Sequence, residues 1–264
     1  MSAWLSIDEG KAADGLRLVL TSGVPGPWGE AAKAIFHVKG IDAPRIAQFA
    51  GQANEELVAW TGESNAPQAI WADEPPRTGW REIIQLAEDL APEPSLVPED
   101  AEARALMFDL LDELAGENGF GWTRRQMLFV PMMELPEDHP GRQSVMGMAR
   151  RYGYSAEAAK GAPARAAEIL RRLGRQWAQQ REAGRAFLVG DRLSALDLYW
   201  AAFAALIEPL PHDLCPMPAG LRQGYGQRHP VMDEALDPAL LEHRAQIYEK
   251  WLELPIDLGP GFAP

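Results

Sequence analysis

The sequence predicts an α/β domain followed by an all-helical domain. Over the first 90 residues, short apolar runs that suit strands alternate with amphipathic stretches that suit helices. A connection containing Pro92, Pro94 and Pro98 follows, and closely spaced prolines interrupt regular structure. The apolar stretches beyond it have helical spacing. We therefore place the domains at residues 1–92 and 99–264, and a chain of 264 residues is long enough for two domains.

The first half of the α/β domain is predicted as strand, helix and strand. Residues 16–20 are an apolar strand that leads into a loop rich in glycine and proline. Residues 29–39 follow with an apolar stripe at helical spacing, and Gly40 is a natural helix stop. A second short strand is expected over residues 41–48. These elements alternate as in an α/β unit.

The second half adds a short helix, a strand hairpin and a longer helix. Asn54 is expected to cap a helix over residues 55–60. Residues 65–71 read as a strand that a further strand turn follows. Residues 80–90 are amphipathic and predict the last helix of the domain. The predicted order is β-α-β-α-β-β-α.

The rest of the chain predicts helices. A helix that Asp100 begins is followed by a break at residues 116–122 and by a loop at residues 131–141 that holds His139. The apolar periodicity places the helical stretches at residues 101–114, 122–129, 143–151, 163–182, 194–207 and 239–252.

The clearest local signal in the helical part is a capping box. Ser194 and Asp197 stand three residues apart at the head of an apolar run, so their side chains and backbone amides can satisfy each other at the start of a helix. Leu193 and Leu198 flank the box at the positions of a hydrophobic staple. A buried helix is therefore expected directly after Ser194.

Charge and composition exclude several classes of partner. The net charge is −13, which disfavours binding to nucleic acid or to an anionic membrane surface. Cys215 is the single cysteine, so neither an internal disulfide nor a cysteine metal cluster is expected. The five histidines are scattered without i,i+4 spacing, and we predict no metal. No signal peptide or membrane span is visible, so we expect a cytoplasmic protein.

Three landmarks resemble the glutathione S-transferase superfamily. The helix that ends in Lys39-Gly40-Ile41 resembles the first helix of that family, and Ala66-Pro67 falls where the family has a Val-Pro that opens a strand. The capping box Ser194–Asp197 resembles the nucleus of its helical domain, although Leu196 replaces the usual alanine. The resemblance implies a thioredoxin-like first domain, a homodimer and a glutathione site at the edge of the first domain.

The resemblance places the backbone of glutathione against Ala66. The cysteinyl unit would pair with Ala66 as an added strand, and Pro67 would be cis; the alternative is a trans proline at a strand start. Residues 26–29 align with the family's catalytic Cys or Ser segment and carry neither a hydroxyl nor a thiol. Trp28 in this segment is assigned to the glutathione site. Ser22 is then the candidate thiolate donor, and the alternative for Ser22 is a local turn bond.

The subsite for the γ-glutamyl group also departs from the family. Gly79 and Trp80 align with the usual Glu-Ser, and Thr78 is the nearest hydroxyl. The resemblance therefore assigns Thr78, Trp80 and the free amides at the helix start to this subsite. Arg77 lies nearby, and a solvated loop charge is an equal interpretation for it.

The acceptor substrate would lie against the helical domain. The resemblance assigns Trp122, Arg125 and Phe129 to this pocket, and an arginine fork suits a carboxylate on the substrate. The alternative is that Arg124 and Arg125 pair with nearby carboxylates of the chain.

These implications lead to a functional expectation with rivals. We expect a glutathione transferase that joins glutathione, as co-substrate, to a small hydrophobic electrophile. Because the aligned catalytic position lacks a hydroxyl or thiol, a non-catalytic binding or structural protein on the same fold is the main alternative. A glutathione-dependent lyase or isomerase is the third.

Overall fold

A four-stranded mixed sheet forms the centre of the first domain in the computed structural model, which describes residues 3–260. The strand order is β1-β3-β2-β4. Strands β1 and β2 both run parallel to β3, and β4 runs antiparallel to β2. The strands are β1 Trp4–Leu5, β2 Leu16–Thr21, β3 Arg45–Gln48 and β4 Gln68–Trp71.

Helices cover both faces of this sheet, because the pleat of β2 points alternate side chains to opposite sides. Leu16, Leu18 and Leu20 enter the main core with the helices over residues 27–38 and 80–90, whereas Val19 belongs to a separate cluster with Ile46 on the other face. The helices of this domain are α1 Ile7–Ala12, α2 Pro27–Val38, α3 Glu55–Thr61 and α4 Trp80–Leu90. The arrangement is a thioredoxin-like α/β domain.

The second part of the chain is helical and packs on α2. Its central helix, Ala195–Phe203, is buried along its whole length and contacts α2 on one side and two helices of its own domain on others. The helices are α5 Ala101–Ala115, α6 Phe120–Met133, α7 Pro140–Arg151, α8 Ala156–Glu182, α9 Ala195–Phe203, α10 Ala219–Gly226, α11 Pro230–Asp233 and α12 Pro238–Trp251. Among the helices of residues 3–260, none combines the length and apolar character needed to cross a bilayer.

The α/β expectations hold for most elements. Helix α4 spans residues 80–90 as predicted, and Gly40 follows α2 with a φ of +67°, the left-handed conformation expected of a helix stop. The additional strand β1 and helix α1 were not predicted, because a two-residue strand carries almost no periodicity. The expected hairpin after β4 is reduced to one bridge, Ala69 to Arg77, since the prolines of that loop prevent a ladder.

The helical expectations err mainly at prolines. The sequence predicted a loop from Pro131, but α6 continues through this residue. It predicted a helix start at Pro163, but α8 begins at Ala156 and includes this proline. Helix α6 packs along α8, and this tertiary contact outweighs the local preference. The expected break before residue 122 is shorter, because α6 already starts at Phe120. The short helices α10 and α11 were missed.

The predicted capping box is a fully buried network. The Asp197 carboxylate accepts hydrogen bonds from the amide and the hydroxyl of Ser194, at 2.9 and 2.7 Å, and from the amide of Leu188 at 2.8 Å. His243 of α12 places its Nε2 2.8 Å from the same carboxylate. Neither Asp197 nor His243 is exposed to solvent, so the carboxylate depends entirely on these protein donors. The network ties the start of α9 to α12.

Replacing Asp197 with alanine should lower the free energy of unfolding by about 3–5 kcal/mol, because several buried donors would lose their acceptor. Urea denaturation measures the loss. The matched control is Asp100→Ala at the exposed start of α5. Within residues 3–260 its carboxylate accepts only from the Ala103 amide, and the expected loss is about 1 kcal/mol. Equal losses in the two variants would contradict the central role of Asp197.

Candidate functional site

The loop before β4 turns at a cis peptide bond between Ala66 and Pro67, as expected. Two buried glutamines hold the loop in shape. Gln68 donates from Nε2 to the carbonyl of Asn65 at 2.7 Å, and Gln48 donates to the carbonyl of Ser64 at 3.2 Å. Because both amides come from strand residues, the sheet itself positions the loop.

Ala66 leaves its backbone groups open. Within residues 3–260, neither its amide nor its carbonyl takes part in a backbone hydrogen bond, and the residue is half-buried. An extended ligand backbone can therefore pair with Ala66 in the manner of an added strand. Of what the sequence resemblance implied here, the cis bond at Pro67 is observed, and the pairing of glutathione with Ala66 stays a prediction.

Trp28 lies in the first turn of α2 and reaches into the helical domain. Its indole Nε1 donates to the carbonyl of Ala115 at 2.9 Å, and its ring meets Phe203 edge-on at 4.9 Å. Gly121 of α6 faces the ring so closely that a Cβ there would lie 2.6 Å from it. Trp28 thus joins the two domains beside the start of α2.

Four aromatic side chains of the helical domain continue this contact. Tyr152 lies with its ring centre 6.5 Å from that of Trp28, 4.9 Å from that of Trp122 and 6.2 Å from that of Phe129. Tyr154 meets Phe129 edge-on at 6.1 Å. We call the set of Trp28, Trp122, Phe129, Tyr152 and Tyr154 the interdomain aromatic cluster.

The structure therefore brings Trp28, Trp122 and Phe129 together with two tyrosines that the sequence analysis missed. Tyr152 and Tyr154 follow α7 around Gly153, whose φ is +60°. The turn gives both rings access to α6. The alternation Tyr-Gly-Tyr after a predicted helix was the available signal, since an exposed helix end seldom carries two large aromatics without a packing partner.

Arg124 and Arg125 have different roles despite being neighbours. Arg124 is buried and donates to the backbone carbonyls of Leu206, Tyr225 and Gln227, so it is structural. Its burial lowers the pKa of the guanidinium to about 10. Arg125 instead lies over the ring of Tyr152 at 4.9 Å and that of Trp28 at 5.6 Å. Neither arginine forms an ion pair with a carboxylate within residues 3–260, so the alternative interpretation is not observed there.

The start of α4 is already occupied by the chain's own carboxylate. Glu82 accepts from the amide of Gly79 at 3.2 Å, which places a negative charge at the positive end of the helix. Thr78 is half-buried beside it. The Trp80 ring packs against Phe108 and Tyr199 of the helical domain, with ring centres 6.3 and 6.4 Å away. An anionic ligand group here would have to tolerate or displace Glu82.

Arg77 is held within its own loop. Its guanidinium forms an ion pair with Glu74, three residues before it, and the two side chains remain partly exposed. The interpretation of Arg77 as a solvated loop charge therefore agrees with its position.

Ser22 follows β2 and contacts the C-terminal tail, which we define as residues 252–260. Its hydroxyl donates to the carbonyl of Pro260 at 2.9 Å, and the amide of Gly23 donates to the carbonyl of Leu258 at 2.7 Å. The local turn bond considered for Ser22 is thus replaced by a bond across 238 positions. Nothing in the sequence pattern signalled this contact.

Asp257 anchors the tail to the sheet. Its carboxylate accepts from the Trp4 indole at 2.8 Å and from the Arg45 guanidinium at 2.7 Å, and its second oxygen accepts from the Gly259 amide. Partial burial by itself would raise the pKa of the Asp257 carboxyl. The Gly259 amide, the Trp4 indole and the Arg45 charge outweigh this effect and hold that pKa below its usual range.

Side chains that bind metal ions do not converge in the described part of the chain. No group of three or more His, Cys, Asp or Glu side chains within residues 3–260 has the geometry to hold an ion. The buried Cys215 stands alone, and its burial raises the pKa of the thiol to about 11.

Comparison with known proteins identifies structural relatives only. No model of a protein family matches the sequence, and no curated protein matches it either. A glutathione S-transferase from Rhodospirillum rubrum F11 has 20% identity and a TM-score of 0.56, covering 89% of this chain and 88% of that one. A glutathione transferase family member from Pseudomonas fluorescens pf-5, solved with two glutathione bound, has 14% identity and a TM-score of 0.61, covering 94% and 98%.

A third structure adds a different named activity. The β-etherase LigF from Sphingobium sp. strain SYK-6 has 19% identity and a TM-score of 0.55, covering 88% of this chain and 99% of that one. Since each alignment covers nearly all of both chains, the likeness extends over both domains. At these identities it establishes the fold.

The anchor at Asp257 predicts a pH-dependent contribution to stability. Because the pKa of Asp257 is lowered by folding, its stabilisation is fully present above the unfolded value of about 3.9 and is lost as the pH falls through the folded pKa. We expect Asp257→Asn to be less stable than the natural chain in urea at pH 7 and 5, with the difference shrinking toward pH 3.5.

The control for that experiment is Asp73→Asn, which removes one carboxylate from an exposed loop position. It corrects for the change in net charge. A stability difference for Asp257→Asn that stays constant or grows as the pH falls would contradict the ionised anchor.

Proposed function

Because this chain has the glutathione S-transferase fold, we propose that it binds glutathione and joins the thiol to a small hydrophobic electrophile. The bound tripeptide would lie along Ala66 and Pro67, and the electrophile would lie against Trp122, Arg125 and Phe129. Thr78 and Trp80 would border the γ-glutamyl group, and Trp28 would stand between the two subsites. We further propose that the protein acts as a homodimer in the cytoplasm, as the resemblance implies.

The observation that carries this proposal is the open backbone of Ala66 at the cis peptide bond. A peptide backbone needs paired donors and acceptors to bind in an extended form, and Ala66 supplies both. The free amides at the start of α2 add a site that favours an anionic thiolate. Peptide recognition and thiolate stabilisation are thus supported at neighbouring elements of the first domain.

Activation of the thiol is assigned to Ser22. A hydroxyl that donates to the sulfur stabilises the thiolate, lowers the thiol pKa and supplies nucleophile near neutral pH. A serine has one hydroxyl proton, and the Ser22 hydroxyl donates it to the carbonyl of Pro260. Catalysis by Ser22 therefore requires the end of the tail to release this proton when glutathione binds.

A specific observation favours a second function, a non-catalytic glutathione-binding or structural protein on this fold. The tail occupies Ser22 and Gly23, and Glu82 occupies the start of α4, so two positions that would serve the ligand already have partners within the chain. The third candidate is a glutathione-dependent lyase or isomerase, and the likeness to a β-etherase makes aryl ethers suitable test substrates for it.

Glutathione binding is the first test. Calorimetric titration with reduced glutathione should give a dissociation constant in the millimolar range or tighter. The α-linked peptide Glu-Cys-Gly has the same composition and charge, so it serves as the ligand control and should bind several-fold more weakly. No heat and no thermal shift with glutathione would overturn the proposal and favour a structural protein.

Replacing Ser22 with alanine tests the assigned chemistry. We expect turnover with an activated aryl halide to fall about 100-fold, the usual cost of one donor to a developing anion, while the dissociation constant for glutathione stays within a few-fold. Ser144→Ala is the control, because its exposed hydroxyl also donates to a backbone carbonyl, that of Gly141 at 2.8 Å. Full turnover in Ser22→Ala would show that Ser22 is not the donor.

A shortened chain that ends at Asp257 separates the enzyme from the binding protein. If the tail limits access to Ser22, removing residues 258–264 should leave glutathione binding intact and raise turnover. Glutathione binding without turnover toward aryl halides or aryl ethers, in both the full and the shortened chain, would favour the non-catalytic function.

A further inference from the structure

Arg125 differs from the buried arginines of this protein in the acceptors that its guanidinium contacts. The buried arginines each donate to an oxygen atom of the chain, either a backbone carbonyl or a carboxylate: Arg17, Arg45, Arg124 and Arg244. Arg125 is part-buried, yet no oxygen of residues 3–260 accepts a hydrogen bond from its guanidinium. Among the described residues, its Nη1 finds only the Met148 sulfur, a weak acceptor, at 3.5 Å.

Within residues 3–260 the Nε of Arg125 is buried without a hydrogen-bond partner. The same holds for Arg17, Arg222 and Arg244, but the other guanidinium nitrogens of these three residues donate to oxygen atoms. A buried guanidinium donor that lacks an acceptor costs free energy, and a ligand oxygen can recover that cost on binding. The chain has 38 acidic and 25 basic residues, so carboxylates that could pair with an arginine are in excess. The fold nevertheless supplies none at this position within its described residues.

Aromatic rings surround this guanidinium on two sides. The Arg125 Cζ lies 4.9 Å from the Tyr152 ring centre and 5.6 Å from that of Trp28. Trp122, Tyr152 and Tyr154 are part-buried, so each side chain keeps some surface that a ligand can reach. Aromatic walls lower the local dielectric and strengthen an ion pair formed between them.

We propose that the interdomain aromatic cluster and Arg125 form a binding site for an aromatic carboxylic acid. The ligand ring packs on Trp122 and Tyr152, and its carboxylate accepts from the Arg125 guanidinium, whose planar fork matches two carboxylate oxygens. The identification of this aryl acid as the acceptor substrate rests on the proposed transferase function. The binding site itself does not depend on glutathione.

A purely structural role for Arg125 predicts a different outcome. The guanidinium joins α2 to the end of α7 through its two ring contacts, and each such contact contributes about 0.5–1 kcal/mol at partly exposed sites. Loss of these contacts alone would change stability. It would not change the preference for one charge state of a ligand.

The experiment compares 1-naphthoate with 1-naphthamide, which share the ring system and differ in charge. Calorimetry on the natural full chain should show naphthoate binding at least about tenfold more tightly, because hydrogen bonds from the guanidinium to a charged acceptor are stronger than those to a neutral amide. Arg125→Gln should abolish this preference and leave naphthamide binding within a few-fold. Arg125→Lys keeps the charge without the fork and should retain only part of the preference.

The matched control is Arg181→Gln on α8, because Arg181 also lies over an indole ring, that of Trp177 at 5.8 Å, but is exposed and paired with Asp237. It should keep the full preference for naphthoate. Equal affinity for the two probes in the natural chain, or an unchanged preference in Arg125→Gln, would overturn the inference. If Arg125→Gln fails to fold, Arg125→Lys replaces it, and a preference in Arg125→Lys as large as that of the natural chain would overturn the inference.

Glutathione also has carboxylates, and a separate titration distinguishes that source. If Arg125→Gln weakens glutathione binding but leaves the naphthoate preference intact, the residue serves glutathione and the inference is wrong. If naphthoate binding shows the expected charge preference and glutathione gives no heat, the aryl acid site stands while the transferase proposal fails. If glutathione binds but naphthoate binds no more tightly than naphthamide, the inferred aryl acid site is wrong while glutathione binding stands.

Discussion

The buried carboxylate of Asp197 is the interaction on which the rest of the molecule depends. Its oxygens accept from donors of three segments, the Leu188 amide, Ser194 and the His243 ring, and all of them are withdrawn from water. A buried charge is tolerated only when hydrogen bonds replace its hydration. The network therefore specifies where α9 begins, and α9 in turn contacts α2, α5 and α12.

Since α9 supports α2, the helical domain also determines the geometry of the candidate site. Trp28 in the first turn of α2 packs edge-on against Phe203 at the end of α9 and donates to the carbonyl of Ala115. The close approach of its ring requires glycine at position 121. The open backbone of Ala66 belongs to the first domain, whereas the Tyr152 ring belongs to the second, so a ligand that uses both depends on this packing.

The C-terminal tail is the second long-range determinant of the site. Its Asp257 is held by Trp4 of β1 and Arg45 of β3, and the carbonyl of Pro260 accepts from the Ser22 hydroxyl. Arg45 is almost fully buried and needs an acidic partner there. The same contact that satisfies Arg45 thus brings backbone carbonyls to the position where thiol chemistry is proposed.

Local patterns in the sequence determined the fold class, most helices, the stop at Gly40 and the capping box at Ser194, because periodicity and capping act over a few residues. The family resemblance, rather than any local pattern, pointed to Trp122, Arg125 and Phe129, which the structure brings together around Tyr152. Only the tertiary structure decided the different roles of the two arginines: Arg124 donates to backbone carbonyls, whereas Arg125 has no oxygen partner among residues 3–260. It also decided that the hydroxyl of Ser22 donates to a carbonyl of the tail. Those outcomes depend on contacts between residues far apart in the chain, and local propensity carries no information about such contacts.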